Sequence, residues 1–232
     1  MGEFTFVVEK TCPICGEKSR EVKVKARLLS TGADPDFCTR YKGINPYFYK
    51  IWICEHCGFA TDEKHFVGEI PIAERKKNML REYLYKNQEP VEFKEERTMA
   101  EAVASYQKAL FFAEMIDERQ TTRAGYYLSL AWIYRIAEDR ENEDVHLKKA
   151  LELYEKAYMT EKFPIGALTD TAVVYLIGAL YGRLGMMDKF GQYMSRLIHN
   201  EAMKAKDPRT VERARRLWTD MREDQKMGKI GW

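Results

Sequence analysis

Four cysteines fall in two pairs of the same spacing, Cys12-Pro-Ile-Cys15-Gly and Cys54-Glu-His-Cys57-Gly. In such a knuckle the glycine lets the backbone fold over the two sulfur atoms, so both thiolates point to one place. Two knuckles supply four thiolates, which is the ligand set of a closed tetrahedral zinc site. The sequence therefore predicts a structural zinc site formed by Cys12, Cys15, Cys54 and Cys57. An iron–sulfur cluster and a redox dithiol are the alternatives, although redox motifs normally lie in a βαβ unit.

The other residues with reactive side chains have simpler explanations. Cys38 is predicted to be a buried free thiol in the ribbon core, with an extra metal ligand or a reactive thiol as alternatives. His56 and His65 could replace a cysteine ligand, but four thiolates complete the shell, so both are predicted to be surface histidines. Asp34 and Asp36 flank a proline and indicate a turn rather than a cation site. Common phosphate-binding, metalloprotease and serine-nucleophile motifs are absent from the sequence.

Residues 1–70 follow the two-residue period of β-strands. Three stretches carry this pattern: Phe4–Val8, Val22–Leu28 and Tyr47–Ile53. The turn-forming residues of Ser30–Asp36 predict a loop between the second and third strands. The resulting order of strand, knuckle, strand, loop, strand and knuckle is that of a zinc ribbon. Residues 16–53 exceed the usual ribbon spacing of about 15–20 residues, and the excess matches a loop over residues 30–45.

From residue 71 onward the pattern changes to a helical period. Pro71 suits a first helical turn, Thr98 and Glu101 form a capping box, and Asp207 precedes a proline at a helix start. Seven helices are predicted, over residues 71–87, 98–116, 121–137, 142–159, 169–184, 187–203 and from 207 onward. Because the connectors are short, successive helices should form antiparallel hairpins.

Two helical segments are similar to each other. Leu128–Tyr134 and Tyr175–Tyr181 both carry a small residue and a tyrosine three positions apart, at an offset of 47 residues. The second segment resembles the first helix of a tetratricopeptide repeat, in which a small residue such as Gly178 lets the paired helix approach. The standard period is about 34 residues, so the units are irregular. The prediction is an α+β fold, with a β zinc ribbon in residues 1–70 and an all-α tetratricopeptide-like array in residues 71–232.

The composition indicates a protein with a core and a solvated surface. Of 232 residues, 45% are hydrophobic and 32% are charged, and the formal net charge is +2, which is not the charge of a general polyanion binder. The N-terminus lacks a signal-peptide pattern, and no run reaches the roughly 18 apolar residues of a membrane span. We therefore predict a cytoplasmic protein without membrane contact, in which paired cysteines bind metal rather than form disulfides.

Longer segments around the cysteines are more specific than the knuckles alone. They are Cys12-Pro-Ile-Cys15-Gly, Asp36-Phe37-Cys38-x-x-Tyr41 with Asn45-Pro46-Tyr47, and Trp52-Ile53-Cys54-x-x-Cys57-Gly58-Phe59-Ala60. Together they resemble an uncharacterised family of bacterial proteins, common in Firmicutes, that is known as a domain of unknown function. The similarity extends into the helical half. This resemblance implies a cytoplasmic protein with a zinc ribbon and helical repeats, and it implies no catalytic residues.

The leading functional hypothesis is a scaffold or interaction module, in which stacked helical hairpins bind a protein or peptide partner. Five tyrosines are candidates for the binding face, with about half of them expected in the core: Tyr126, Tyr127, Tyr134, Tyr175 and Tyr181.

Two alternatives belong to other functional classes. Residues 203–232 hold nine Lys or Arg and five acidic residues, a balance of +4, so the ribbon and the last helix could bind nucleic acid. Arg213, Arg215 and Arg216 would then contact phosphates, whereas a solvated helix with Trp218 docked on the preceding hairpin is the simpler explanation. The second alternative is an enzyme with a groove lined by Asp36, Cys38 and Tyr41.

Overall fold

The computed structural model describes residues 2–68, 72–87 and 91–228. Within these ranges short strands precede the helices, so the predicted α+β class is confirmed. The strands are β1 (Thr5–Thr11), β2 (Lys18–Val24), β3 (Ser30–Ala33), β4 (Thr39–Tyr41), β5 (Ile51–Ile53) and β6 (Ala60–Asp62). The helices are α1 (Glu63–Val67), α2 (Glu74–Lys86), α3 (Met99–Met115), α4 (Gln120–Ile136), α5 (Arg140–Thr160), α6 (Asp170–Arg183), α7 (Met187–Ile198), α8 (Glu201–Lys206) and α9 (Pro208–Lys226).

The strands form three antiparallel hairpins, and the two cysteine knuckles are the turns of two of them. β1 pairs with β2 from Thr5↔Val24 to Thr11↔Lys18, which places the first knuckle at the hairpin tip. β5 pairs with β6 from Ile51↔Asp62 to Ile53↔Ala60, which places the second knuckle in the same way. The third hairpin, β3–β4, lies between them in the chain. The strand pairing in each of these two hairpins thus orients the two cysteine side chains at its tip.

Two predictions for the segment between the knuckles were wrong. Ser30–Asp36 is not only a loop, because Ser30–Ala33 pairs with Thr39–Tyr41 as a hairpin. The predicted strand Tyr47–Ile53 is a strand only at its end. Its first half is a 3₁₀ turn, Pro46–Tyr49, since the Asn45 side chain accepts a hydrogen bond from the Tyr47 N–H. A capping asparagine followed by proline thereby outweighs the strand propensity of the aromatic residues.

Three further boundaries differ from the prediction. β2 ends at Val24 rather than Leu28, because its partner β1 begins at Thr5 and one further hydrogen bond, from the Lys25 N–H to the Phe4 carbonyl, closes the ladder. The predicted helix over residues 187–203 is two helices, since Asn200 caps α8 with its side chain. Helix α1 was not predicted, and Asp62 caps it. The other helices begin and end close to the predicted positions, and the capping box of Thr98 and Glu101 is present.

The helical part is built from antiparallel neighbours. α4 packs against α5, and α6 packs against α7, with α9 lying on α6 and α7. Gly178 is needed where α6 meets α7, because a Cβ at this position would lie 2.7 Å from Met194 Cε and 3.1 Å from Tyr193 Cβ. The expectation that this small residue lets the paired helix approach is confirmed.

Two hydrophobic clusters form the core of the described residues. One joins α4 to α9 through residues such as Tyr175 and Phe190. The other combines the N-terminal strands with α2, α3 and α4, and its rings Phe59 and Phe112 lie 5.6 Å apart. Strands and helices therefore share one apolar cluster. The predicted boundary between residues 70 and 71, and the helix start at Pro71, lie outside the described residues, so the two-domain division stays a prediction.

Candidate metal centre

The two knuckles have the same backbone geometry. Gly16 and Gly58 both adopt a left-handed conformation, with φ of 83° and 75°. The Gly16 N–H donates to the Cys12 carbonyl at 3.0 Å, and the Gly58 N–H donates to the Cys54 carbonyl at 2.9 Å. Because residues with a Cβ avoid this region, glycine at both positions is what lets the chain reverse around the sulfur atoms.

The knuckles meet with their sulfur atoms together. The Sγ atoms of Cys12, Cys15, Cys54 and Cys57 all lie within 4.8 Å of one another. Cys12 Sγ is 3.8 Å from Cys57 Sγ, and Cys15 Sγ is 3.7 Å from Cys54 Sγ. A tetrahedral ion with metal–sulfur bonds of about 2.3 Å holds its sulfur atoms about 3.8 Å apart, so the four thiols lie close enough to bind one metal ion.

Hydrogen bonds within the cluster favour the thiolate form of Cys54, whereas they raise the pKa of the Cys12 and Cys57 thiols. The pKa of the Cys54 thiol is far below its usual range, because the Cys12 and Cys57 thiols and the N–H groups of Cys57 and His56 hydrogen-bond to it. Cys12 and Cys54 are buried, whereas Cys15 is exposed. The cluster therefore lies at the edge of the N-terminal strands, with one sulfur facing solvent.

Contacts outside the cluster fix the second knuckle to β2. The Glu55 carboxylate accepts three hydrogen bonds from the Arg20 guanidinium, the shortest at 2.6 Å, and a fourth from the backbone Arg20 N–H. The His56 ring lies 2.8 Å from the Lys18 carbonyl. On the other side, Arg81 of α2 donates to the Ile14 carbonyl of the first knuckle at 2.8 Å. Both knuckles are thereby positioned by charged side chains that are not ligands.

The two histidines near the knuckles have separate roles. His56 is exposed, as predicted for a surface histidine, and its ring is away from the four-sulfur cluster. His65 is not a surface histidine, because its side chain is only 18% exposed. Its Nδ1 is 2.8 Å from Asp62 and its Nε2 is 3.8 Å from Glu118. The hydrogen bond that the His65 ring donates to Asp62 raises the pKa of His65.

Cys38 lies apart from the other cysteines and is fully buried, as predicted for a free core thiol. Burial raises the pKa of its thiol to about 12, so the group is protonated at neutral pH. Asp36 is equally buried. The proposed enzyme groove therefore lacks two of its three residues, because neither Cys38 nor Asp36 is accessible to a substrate.

A buried ion network explains Asp34 and Asp36. The Arg135 guanidinium donates to both Asp36 oxygens at 2.8 and 2.7 Å and to Asp34 at 2.8 Å. The Arg135 side chain is 3% exposed and the Asp36 side chain 0%. The turn prediction also holds, since the Phe37 N–H donates to the Asp34 carbonyl at 3.0 Å. The same carboxylates thus make the turn and bind the turn to α4.

The network continues into the next helices. Arg135 Nε donates to Glu143 of α5 at 2.6 Å, and Arg183 of α6 donates to both oxygens of Glu143 at 2.8 Å. Burial alone would raise the pKa of Glu143, but hydrogen bonds from Arg183 and Arg135 outweigh it and lower the pKa. Sequence reasoning missed this network. Its only signal was an arginine within the apolar run of α4, which has no obvious partner nearby in sequence.

The segment around Asp36 covers the helix face that carries the candidate tyrosines. Tyr126 and Tyr175 are buried, and their hydroxyls donate to Asp62 at 2.8 Å and to the Pro35 carbonyl at 2.9 Å. Tyr181 is also buried, and Tyr127 and Tyr134 are half-buried. Tyr126, Tyr175 and Tyr181 are therefore core residues, which agrees with the expectation that about half of the five tyrosines lie in the core. Peptide binding by Tyr127 and Tyr134 stays a prediction.

The basic last helix is partly neutralised. The Arg213 guanidinium stacks on the Phe37 ring at 4.9 Å from its centroid. Arg215 and Arg216 both lie within ion-pair distance of Glu212. Trp218 is half-buried and packs on the core of the preceding helices, as predicted. Nucleic-acid binding through these arginines stays a prediction, which gel shifts at low salt with all three replaced by alanine would test.

Comparison with known proteins identifies a protein family that matches this chain. A family model described as "Uncharacterized protein conserved in bacteria (DUF2225)" matches residues 7–221. No curated protein and no solved structure matches the chain. Within the described ranges, each helix is too short or too polar to cross a lipid bilayer.

Proposed function

Because the chain belongs to this bacterial family, whose description names no reaction, we propose that it acts as a zinc-binding scaffold protein. The observation that carries the proposal is the spacing of the four sulfur atoms, all within 4.8 Å of one another. This spacing suits one tetrahedral zinc ion better than an iron–sulfur cluster, in which the thiolates bind different iron atoms. Four protein ligands leave no open position for substrate, so the zinc is structural.

In this proposal the zinc holds the two hairpin tips together and thereby keeps the N-terminal strands folded against α2, α3 and α4. The ligands are Cys12, Cys15, Cys54 and Cys57, as predicted from sequence. A cytoplasmic location agrees with reduced cysteine pairs that bind metal. The tetratricopeptide-like hairpins α4–α5 and α6–α7 then provide a rigid frame rather than an open groove, because the turn at Asp36 occupies one face.

The scaffold role requires a protein partner, and the exposed aromatic side chains beside the knuckles support one. Tyr85 of α2 is 84% exposed and Phe111 of α3 is 45% exposed. Phe111 lines a cavity of about 450 Å³ together with Tyr83 and Cys57. Aromatic residues at accessible positions are enriched where proteins bind one another. The α2–α3 side of the zinc site is therefore the proposed contact surface.

Metal analysis tests the zinc. We expect about one zinc per chain, and Cys54→Ser should lose it and unfold the N-terminal strands, because structural zinc contributes directly to folding. Cys38→Ser is the matched control, since Cys38 is a buried cysteine outside the cluster. Its zinc content should equal that of the unchanged protein. A chain that binds no zinc, or that keeps it after Cys54→Ser, contradicts the proposal.

The contact surface is tested by affinity capture with identification of the bound protein. Phe111→Ala should reduce recovery of the specific partner, whereas Met159→Ala, at an 84% exposed position on α5, should not. Equal recovery with both variants would place the partner elsewhere. Zinc content, measured on the same samples, separates a lost contact from a lost fold.

A further inference from the structure

A cavity of about 310 Å³ lies where β2, β5 and the start of α3 meet. Its wall includes Glu21, Ile53, Phe93, Arg97 and Ser105. Glu21 and Ser105 are fully buried, so part of this wall belongs to the interior of the protein rather than to its surface. The cavity is separate from the four-sulfur cluster, although β5 leads directly into the second knuckle.

Arg97 is the unusual group in this cavity. Its Nη1 donates to the carbonyls of Phe48 and Ile51, which holds the guanidinium in place. Among the described residues no carboxylate forms an ion pair with it, although Glu21 and Glu101 attract its charge from farther away. Burial lowers the pKa of Arg97, which reflects a cation that is poorly compensated. Arg97 is half-buried, and a guanidinium that is partly removed from water without an ion-pair partner is costly, because its remaining donors need a charged or polar partner.

Glu21 lies in the same wall but does not supply that partner. It accepts hydrogen bonds from Ser19 Oγ at 3.1 Å and from the Ile53 N–H at 3.3 Å. Burial raises the pKa of its carboxyl to about 8, so the group is mostly neutral at neutral pH. The positive charge of Arg97 can then pair with an anionic ligand in the cavity.

The residues at the opening of the cavity also favour an anionic ligand with an apolar part. Arg20 stacks on the Phe93 ring at 4.4 Å while it pairs with Glu55, and Lys94 pairs with Glu101. Arg20 and Lys94 thus have ion-pair partners, whereas Arg97 has none among the described residues. Glu92, which also pairs with Lys94, and Lys108 complete the charged part of the opening. Ile53, Phe93 and the exposed Ala104 give the opening an apolar side.

We propose that this cavity binds a small organic carboxylate, with the Arg97 guanidinium as the anion anchor and Phe93 against the apolar part of the molecule. A volume of about 310 Å³ lies at the lower end of ligand pockets, which span about 300–1,000 Å³. A planar fork of N–H donors suits a carboxylate in particular.

Benzoate and benzamide form a matched pair of probes, since they share shape and differ in charge. Titration of the zinc-loaded full chain, followed by NMR of backbone amides, should show saturable shifts at Ile53 and Ser105 with benzoate. Benzamide should bind at least about ten-fold more weakly, because it cannot form a charge-assisted pair with Arg97. Equal binding of both probes, or no saturable shift with benzoate, would overturn the proposal.

Two variants separate the site from the fold. Arg97→Lys keeps a positive charge but loses the fork, and should weaken benzoate binding about ten-fold. Ala104→Phe fills the opening without touching the anchor, and should abolish binding while the melting temperature is kept. Ala205→Phe, at an exposed position on α8, is its matched control and should bind benzoate normally. Undiminished binding by Ala104→Phe would place benzoate outside this cavity.

Discussion

Replacing Arg135 with methionine removes the cation at the centre of the buried ion network. The guanidinium makes four hydrogen bonds to carboxylates, at 2.6 to 2.8 Å, and its side chain is 3% exposed. Loss of one partner from a buried ion pair costs about 3–5 kcal/mol, because the other charge stays buried without compensation. Methionine has a similar volume, so the cavity contribution is small.

Most of the stability lost in Arg135→Met should come from the Asp36 carboxylate, which remains buried without its main partner. Glu143 keeps both hydrogen bonds from Arg183, and Asp34 keeps the Arg40 guanidinium. Asp36, which is fully buried, keeps from the described part of the chain only the Trp132 Nε1–H at 3.1 Å and a long contact from the Cys38 N–H. We therefore expect Asp36→Asn to restore much of the stability lost in Arg135→Met, since it removes the uncompensated charge.

Urea unfolding of the zinc-loaded protein measures both effects. Arg135→Met should lower the free energy of unfolding by about 3–5 kcal/mol, and the double variant should recover about half or more of it. Arg40→Met is the matched control, because Arg40 also binds Asp34 but is 44% exposed, and it should cost less than about 1 kcal/mol. A loss below about 1 kcal/mol for Arg135→Met would refute the reasoning.

The same network predicts how stability depends on pH. Burial alone would raise the pKa of Asp34, but hydrogen bonds from Arg40 and Arg135 outweigh it and hold the pKa below its usual range. A carboxylate with a lowered folded-state pKa stabilises the protein above its unfolded value of about 4, and this contribution is lost as the pH falls through the folded value. In Arg135→Met this loss at low pH should be smaller.

Three other predictions concern single positions. Gly178→Ala should cost about 1–3 kcal/mol through crowding between α6 and α7, whereas Gly191→Ala, with no atom within 4 Å of the new Cβ, should stabilise α7 by up to about 1 kcal/mol in thermal unfolding. Because Asp62 raises the folded-state pKa of His65, that pair should stabilise the protein below about pH 6.5 and lose its effect as the pH rises through the folded value. His65→Gln should remove this slope from the stability profile, and an unchanged slope would place its origin elsewhere. Cys38 should resist alkylation until the protein unfolds, as mass spectrometry of trapped thiols can show; rapid labelling of the folded chain would contradict its burial.

The parts of the fold that sequence predicted well are those decided by neighbouring residues. The two knuckles need only cysteines separated by two intervening residues and a glycine with positive φ, and the structure places all four thiols together. Helix starts at Thr98 and Asp207 were correct because a capping side chain acts on an N–H three residues away. Asn45 and Asn200 caused errors for the same reason, since each is a local cap that strand or helix periodicity obscured.

Contacts between residues that are distant in sequence could not be predicted from local sequence patterns. Arg135 lies 99 positions from Asp36 in the sequence. Tyr175 lies 140 positions from Pro35, and its hydroxyl donates a hydrogen bond to the Pro35 carbonyl. Nothing in local spacing pairs these groups. The sequence could therefore predict that about half of the five tyrosines lie in the core, but not which of them the turn at Asp36 covers. Arg97 was missed as well, because the lack of an anionic partner becomes visible only when its surroundings are known.

The sequence by itself determined the two cysteine knuckles, the change from strands to helices and most helix ends, because spacing and capping act within a few residues. Only the tertiary structure decided which charges are buried and what covers the helix face. Burial is a property of the whole packed chain. It makes the ion pair of Asp36 and Arg135 one of the contacts that join the N-terminal hairpins to the helices.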